Sequence, residues 1–204
     1  MQFDAVVFDF GGVLFDWNPH YLYQHLIPDL AAREQFLAEV CTLDWNAHQD
    51  AGRPISEALD EKIAAFPHLE DLIRPYYERW PETLAGTLPA GISLLDALHT
   101  AGVPLYGLTN WSAETFPYAE AHYPQVIGKF RDIVVSGQEK LAKPDPAIYH
   151  LLLNRIGHAA ERCIFIDDSA KNIAAAEQIG FLAIHHTDPA HTRSRLREWG
   201  APLD

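Results

Sequence analysis

The fold is decided by residues 3–14, which read Phe3-Asp4-Ala5-Val6-Val7-Phe8-Asp9-Phe10-Gly11-Gly12-Val13-Leu14. The apolar run that ends at Phe8 is short and rich in strand-forming residues, which is typical of a buried β-strand. Asp9, Gly11 and Gly12 follow at once. The stretch therefore predicts a strand with an acidic, glycine-containing loop at its carboxyl end, which is where ligands bind in open parallel sheets.

Four similar apolar runs follow along the chain, at residues 103–108, 133–135, 163–166 and 181–184. Helical patterns lie between them. Three of these helices end in a glycine just before the next apolar run, and glycine accepts the left-handed turn at a helix C-terminus. These glycines are Gly102, Gly157 and Gly180. The alternation of strands and helices predicts an α/β fold with a doubly wound, Rossmann-like parallel sheet.

One stretch, residues 18–84, breaks this alternation, because it has helical patterns and no convincing strand. It predicts an α-helical cap inserted into a core domain made of residues 1–17 and 85–204. The cap is rich in large aromatic side chains, most of which we expect to pack helix against helix. Trp45 and His48, with Asn46 between them, are candidates for reading the substrate. Asp16 and Trp17, at the exit to the cap, could act as a hinge or contact the ligand.

The composition excludes several classes of partner. The chain has 204 residues, 48% of them hydrophobic and 21% charged, as in ordinary globular proteins. A formal net charge of −13 disfavours nucleic acid and anionic membranes as partners. Two cysteines and the lack of a recognisable signal peptide or long apolar run lead us to expect a cytoplasmic protein without a disulfide. We expect a monomer or a homodimer.

Four polar clusters follow predicted strands, and the carboxyl ends of parallel strands open on one edge of a sheet. The clusters are Asp9-Phe10-Gly11-Gly12, Thr109-Asn110, Lys143-Pro144-Asp145-Pro146, and Asp167-Asp168-Ser169 with Asn172. They would bring carboxylates, a lysine, a hydroxyl and amides together. A carboxylate can attack phosphorus, and a divalent metal held by other carboxylates can neutralise the phosphate. The same cation would let an acidic protein bind an anion.

In this order, the four clusters resemble the motifs of the haloacid dehalogenase superfamily, and the helical insertion resembles the cap of its subfamily I. The resemblance covers nearly the whole chain, and residues 108–112 and 143–149 are especially close to subfamily IA. Residues 9–13 and the pair Asp167-Asp168 most resemble bacterial sugar-1-phosphate (α-D-glucose-1-phosphate) phosphatases and the phosphatase domain of soluble epoxide hydrolase. The resemblance implies that a small phosphomonoester, with a sugar phosphate as the favoured example, is hydrolysed with Mg²⁺ through an aspartyl-phosphate.

The resemblance also implies roles for the matching residues. Asp9 would be the nucleophile and a metal ligand, and the main-chain carbonyl of Gly11 and the carboxylate of Asp168 would complete the protein ligands of the metal. Phosphate binding would fall to Thr109, the amide of Asn110 and Lys143, which would also neutralise the nucleophile. Asp167 and Asn172 would support the metal loop.

Gly11 departs from the pattern of most phosphatases of the superfamily, which carry an aspartate there as general acid and base. Two alternatives therefore stay open: a 2-haloacid dehalogenase that forms an ester on Asp9, and a catalytically weak phosphate-binding or regulatory protein. The pair Asp167-Asp168 favours the phosphatase, because dehalogenases of this superfamily need no metal. Without the acid, rates should rise steeply as the pKa of the leaving group falls. A cap residue such as His48 or Asp50 is a candidate for the base that activates water.

Overall fold

A five-stranded parallel sheet lies at the centre of the structure, a computed structural model that describes residues 2–203. The strands of the chain are β1 (Ala5–Phe8), β2 (Phe15–Trp17), β3 (Leu84–Thr87), β4 (Leu105–Thr109), β5 (Asp132–Val135), β6 (Cys163–Asp167) and β7 (Leu182–His185). The helices are α1 (His20–Leu26), α2 (Leu30–Glu39), α3 (Leu43–Asp50), α4 (Ile55–Ala65), α5 (Glu70–Ile73), α6 (Pro75–Glu78), α7 (Pro89–Thr100), α8 (Phe116–His122), α9 (Pro124–Ile127), α10 (Ser136–Glu139), α11 (Pro146–Ile156), α12 (Ala170–Ile179) and α13 (Pro189–Glu198). Short 3₁₀ turns lie at Pro67–Leu69, Trp80–Thr83 and Ala160–Arg162.

The strand order across the sheet is β5-β4-β1-β6-β7, and every neighbouring pair is parallel. The chain runs outward from β1 to one edge and then returns to build the other side. This reversal is the topological switch point of a doubly wound sheet, so the predicted α/β fold is confirmed. The crevice beyond the carboxyl ends of β4, β1 and β6 is the place where this topology binds ligands.

Helices cover both faces of the sheet, because successive side chains of a strand point to opposite sides. Val6 and Phe8 belong to one buried cluster, which includes side chains of α7, α8 and α13. Ala5 and Val7 belong to a second cluster, which includes side chains of α11 and α12. All four residues of β1 are buried, as expected for a strand covered on both faces.

Between β2 and β3 the chain forms α1–α6, and these helices have a buried core of their own. Its members are Leu22, Tyr23, Phe36, Val40, Cys41, Trp45, Ala58, Leu59, Ile73 and Tyr76. β2 and β3 pair antiparallel, so the chain enters and leaves the helical segment through a two-stranded ribbon. The sequence analysis missed both strands, since three or four residues are too few to show a strand periodicity.

The finer sequence predictions hold to within two residues. The five strands of the main sheet begin and end within two positions of the predicted runs. Gly102, Gly157 and Gly180 have left-handed backbone angles, with φ of 74°, 70° and 107°. Cys41 and Cys163 are buried free thiols. No helix between residues 2 and 203 combines the length and apolar character that a membrane crossing needs.

Candidate active site

Asp9 lies in the first turn beyond β1, at the switch point of the sheet. Its main-chain N–H donates to the carbonyl of Ile166 at 2.8 Å, which ties the loop to β6. Its Oδ1 accepts the N–H of Phe10 at 2.6 Å, and only 7% of the residue is exposed. The side chain is therefore held in one orientation and is largely shielded from solvent.

Lys143 links Asp9 to Asp167. Its Nζ lies 2.9 Å from Oδ1 of Asp9 and 2.6 Å from Oδ2 of Asp167, and its side chain is fully buried. Burial disfavours the ammonium, but the two carboxylates together raise the pKa of Lys143 above its ordinary value. The lysine is therefore a fixed positive charge beside Asp9.

The two neighbouring aspartates have different surroundings. Asp167 is fully buried and also accepts hydrogen bonds from Nδ2 of Asn172 at 3.1 Å and from the N–H of Ser169 at 2.8 Å. Asp168 is exposed, and its Oδ2 would lie 2.1 Å from a Cβ placed on Gly12. Gly12, with φ of +69°, is therefore needed for the close approach of Asp168 to the Asp9 loop.

Asp9, Asp167 and Asp168 each offer a carboxylate oxygen, and these oxygens lie within 4.8 Å of one another. Burial, together with the charge of Asp167, raises the pKa of Asp9 and of Asp168, although Lys143 opposes this. One lysine cannot balance three carboxylates at this distance, and a cation between them would remove the repulsion. An all-oxygen donor set suits a hard divalent ion such as Mg²⁺.

Thr109 and Asn110 follow the carboxyl end of β4, next to these groups. The hydroxyl oxygen of Thr109 is buried and has no hydrogen-bond partner among residues 2–203. Such an orphaned polar atom is costly unless a ligand pairs with it. The side chain of Asn110 instead holds the main chain of Lys143: its Oδ1 accepts the lysine N–H at 2.8 Å and its Nδ2 donates to the lysine carbonyl at 2.9 Å.

A small pocket, partly open to solvent, leads to this cluster. It is lined by Gly11, Phe15, Trp17, Asn46, Asp50, Trp80, Asn110 and Trp111. Four of the eight lining residues are aromatic, so its walls are largely apolar.

The cap residues that the sequence analysis named as candidates differ in their placement. Trp45 is buried in the core of the cap, 5.2 Å from Tyr76 and 5.4 Å from Tyr77 between ring centroids, and His48 is exposed. Neither lines the pocket. Asn46 and Asp50 do, because residues four apart share one face of α3.

Asp50, the last residue of α3, lies where the helical segment α1–α6 contacts the part of the chain that carries the main sheet. Its Oδ2 accepts Nδ2 of Asn46 at 2.8 Å, and its carboxylate also accepts the main-chain N–H of Ser112. Its carbonyl accepts the hydroxyl of Ser136. Burial raises the pKa of Asp50 to about 7, although the bond from Ser112 lowers it.

The sequence analysis named Trp17 as a possible ligand contact but did not assign the other three aromatic residues that line the pocket. Phe15 and Trp17 come from β2, Trp80 from the turn that ends the helical segment, and Trp111 directly follows Thr109-Asn110. Trp111 was the detectable one, because it adjoins a predicted motif. The ring of Trp80 lies 5.5 Å from that of Trp111 between centroids, so residues far apart in sequence form one wall.

Comparison with known proteins finds relatives that span most of the chain. The chain is 33% identical to the sesquiterpene phosphatase astK of Aspergillus oryzae, over 96% of both chains. It is 27% identical to a phosphorylated carbohydrates phosphatase of Thermotoga maritima, over 89% of this chain and 84% of the other.

Solved structures show the same fold. A haloacid dehalogenase family enzyme from Bacteroides thetaiotaomicron, in complex with magnesium and inorganic phosphate, superposes with a TM-score of 0.70 at 20% identity, over 93% of this chain and 98% of the other. The L-2-haloacid dehalogenase of Xanthobacter autotrophicus superposes with a TM-score of 0.61 at 19% identity, over 89% and 76%. The family model for haloacid dehalogenase-like hydrolases matches residues 3–180. The chain therefore belongs to the haloacid dehalogenase-like hydrolase family.

Proposed function

We propose that the protein is a Mg²⁺-dependent phosphatase that hydrolyses a small phosphomonoester through an aspartyl-phosphate on Asp9. The observation that carries this proposal is the meeting of three carboxylates, one buried lysine and one unpaired buried hydroxyl at the end of β1 and its neighbours. Relatives named as phosphatases support it. Residues 18–84 act as the cap that closes over the reacting groups.

Each group has a chemical role in this proposal. Asp9 attacks phosphorus, and Lys143 orients its carboxylate and offsets charge on the phosphate. The hydroxyl of Thr109 and the main-chain N–H of Asn110 bind phosphate oxygens. Asp167 and Asn172 hold Lys143 and the metal loop in place. Asp9, the carbonyl of Gly11 and Asp168 would hold Mg²⁺, which when bound would supply positive charge to balance the phosphoryl group.

The two alternatives have weaker support. The structural likeness to a dehalogenase rests on 19% identity and concerns the fold alone. A dehalogenase that works without metal has no use for the carboxylate cluster of Asp9, Asp167 and Asp168. A regulatory protein has no need of a buried carboxylate paired with a lysine next to an open pocket.

We predict that chelation stops the reaction and that Mg²⁺ restores it. The test is a screen of phosphate esters, with a generic aryl phosphate included, before and after exhaustive chelation. Turnover should fall to background and return with Mg²⁺ but not with a monovalent salt. Activity on a 2-chloro acid that survives chelation would select the dehalogenase, and inactivity on every ester would select the binding protein.

The pocket supports an apolar alcohol, rather than a sugar, as the leaving group. A sugar needs several hydrogen-bonding partners, and an unpaired polar group in a site costs affinity. The side-chain amides that line the pocket are already engaged: Asn46 bonds Asp50 and the hydroxyl of Tyr77, and Asn110 bonds Lys143. Among the relatives, the sesquiterpene phosphatase is named for an apolar substrate and the phosphorylated carbohydrates phosphatase for a sugar.

We predict that an isoprenoid alkyl monophosphate is hydrolysed with a kcat/KM at least roughly tenfold above that of glucose 1-phosphate or glucose 6-phosphate. Burial of one large apolar side chain stabilises by about 1.5–3 kcal/mol, so Trp17→Ala should lower kcat/KM for the isoprenoid ester by about tenfold or more. The same variant should leave a short-chain ester nearly unchanged. Equal loss on both esters, or preference for the sugar phosphates, would contradict the apolar assignment and favour the sugar phosphate.

A further inference from the structure

Gly11 leaves the proposed reaction without a proton donor on the Asp9 loop. The residue lines the pocket, and a Cβ placed on it would meet nothing within 4 Å. The space where a side chain would stand is therefore open to the ligand. An alkoxide leaving group still needs a proton, and the water that later attacks the aspartyl-phosphate still needs a base.

The pocket has one lining residue that can exchange a proton, and it comes from the cap. Of the eight residues that line the pocket, Asp50 alone carries an ionisable side chain. The others are one glycine, four aromatic residues and two asparagines. Phe15, Trp17, Trp80 and Trp111 provide no titratable group, so a proton from the walls has to come from Asp50.

The surroundings of Asp50 fix its carboxyl group with respect to the phosphate side of the pocket. The N–H of Ser112 donates to it, and Ser112 lies three residues after Thr109 on the same loop. Asn46 holds Oδ2 from within the cap at 2.8 Å, and Ser136 of the core holds the main-chain carbonyl. Bonds from both the cap and the core position Asp50, so its placement depends on the cap being docked.

We propose that Asp50 is the general acid and base of this phosphatase and does from the cap what the absent side chain of Gly11 cannot do; this rests on the function proposed above. In the first step, Asp9 forms a bond to phosphorus, the bond to the leaving oxygen breaks, and protonated Asp50 gives its proton to that oxygen. In the second step, Asp50 takes a proton from water as the water attacks phosphorus. The bond between phosphorus and Asp9 breaks, and the products are the alcohol and inorganic phosphate.

The protonation of Asp50 fits both steps. A group that alternates between acid and base works best when its pKa is near the working pH. Burial raises the pKa of Asp50 to about 7, so both forms are present at neutral pH. Among residues 2–203 the structure gives Asp50 no ion pair, whereas the neighbouring Arg53 pairs with Glu61 at 2.7 Å.

The expectation of a steep leaving-group dependence changes if Asp50 donates the proton. In the wild-type enzyme with saturating Mg²⁺, the rate of phosphorylation should depend only weakly on leaving-group pKa across a series of aryl and alkyl phosphates. A steep rise towards acidic leaving groups would overturn the assignment. This series needs no variant, so it stands even if substitution of Asp50 disturbs folding.

Asp50→Asn removes the proton and keeps nearly the same shape. General acid–base catalysis contributes roughly a hundred- to ten-thousand-fold, so kcat for an alkyl phosphate should fall by about that factor. An aryl phosphate should instead give a burst approaching one phenol per active site, because only its second step still needs Asp50. Gly11→Asp in the Asp50→Asn background should recover part of the alkyl phosphate turnover, since the site is open and Gly11 has no left-handed backbone angle.

The matched control is Asp44→Asn, the same substitution at an exposed position of α3, which should behave as wild type. Equal loss of rate with every leaving group and no burst would show a structural role and overturn the assignment, as would unchanged activity. If the wild type hydrolyses phosphate esters only with Mg²⁺ while Asp50→Asn matches it, this assignment fails and the proposed function stands. If the wild type hydrolyses none of them, the proposed function itself fails.

Discussion

Replacement of Asp9 by asparagine should reduce turnover of every phosphate ester by about a thousandfold or more, as removal of a nucleophile does in other enzymes. An amide cannot form the bond to phosphorus that a carboxylate forms. The loss should be independent of the leaving group, because the bond is required for all substrates. Steady-state kcat with an aryl and an alkyl phosphate at saturating Mg²⁺ measures it.

The Asp9→Asn variant should keep the fold. The asparagine carbonyl can still accept the N–H of Phe10, and Lys143 keeps Asp167 at 2.6 Å. Removal of one of three crowded carboxylates also relieves repulsion. Asp4→Asn, at the other end of the same strand segment and exposed, is the matched control and should retain activity. If Asp9→Asn kept more than a few per cent of wild-type kcat, the covalent mechanism would be wrong.

The second prediction with a large expected effect is that substitutions of Asp168 and Asp167 have different consequences. Asp168→Ala should abolish most Mg²⁺ binding and activity. It should change the free energy of unfolding little, because Asp168 is exposed and the neighbouring charge of Asp167 disfavours its carboxylate. Asp167→Ala should mainly lower the free energy of unfolding and should leave much of the Mg²⁺ binding in place. It leaves Lys143 and Asn172 without their shared partner, and breaking a buried pair typically costs about 3–5 kcal/mol.

Thermal unfolding with and without Mg²⁺ distinguishes the two variants without any assay of activity. A ligand that binds only the folded state raises the melting temperature. Mg²⁺ should raise it for the wild type and for Asp167→Ala, from a lower starting value in the variant, and should not raise it for Asp168→Ala. A full Mg²⁺ shift in Asp168→Ala would remove Asp168 from the proposed metal ligands.

The sequence predicted the sheet and the meeting of its polar loops for a physical reason. Asp9, Thr109 and Asp167 each stand at the end of an apolar strand, and a parallel sheet brings such ends to one edge. The same argument predicted that the loop of Lys143 would join this cluster. The role of Lys143 beside the nucleophile came from the family resemblance, because the residue follows a short loop and not a strand.

The residues of the helical segment that face the pocket could not be predicted from the sequence pattern. α3 has a weak apolar face, so its sequence could not tell which of Trp45, Asn46 and His48 faces the ligand. The phase of this helix is set by packing of Trp45 against Tyr76 and Tyr77.

The position of Asp50 is likewise set by long-range contacts, here with Ser112 and Ser136 of the core. The strands β2 and β3, which join cap to core, gain their regularity from pairing with each other across more than sixty intervening residues. A local sequence pattern contains no information on such long-range contacts or on pairing between distant strands.

The most direct test of the account is a rapid-quench experiment with the wild-type enzyme, Mg²⁺ and an aryl phosphate, followed by acid quenching, proteolysis and mass analysis of the peptide that contains Asp9. The account predicts a peptide heavier by one phosphoryl group, with the modification on Asp9, formed and lost at rates consistent with turnover. It also predicts that the Asp9→Asn variant yields no such peptide. Turnover at the normal rate with no phosphoryl group on Asp9 at any quench time, or with the group on another residue, would contradict it.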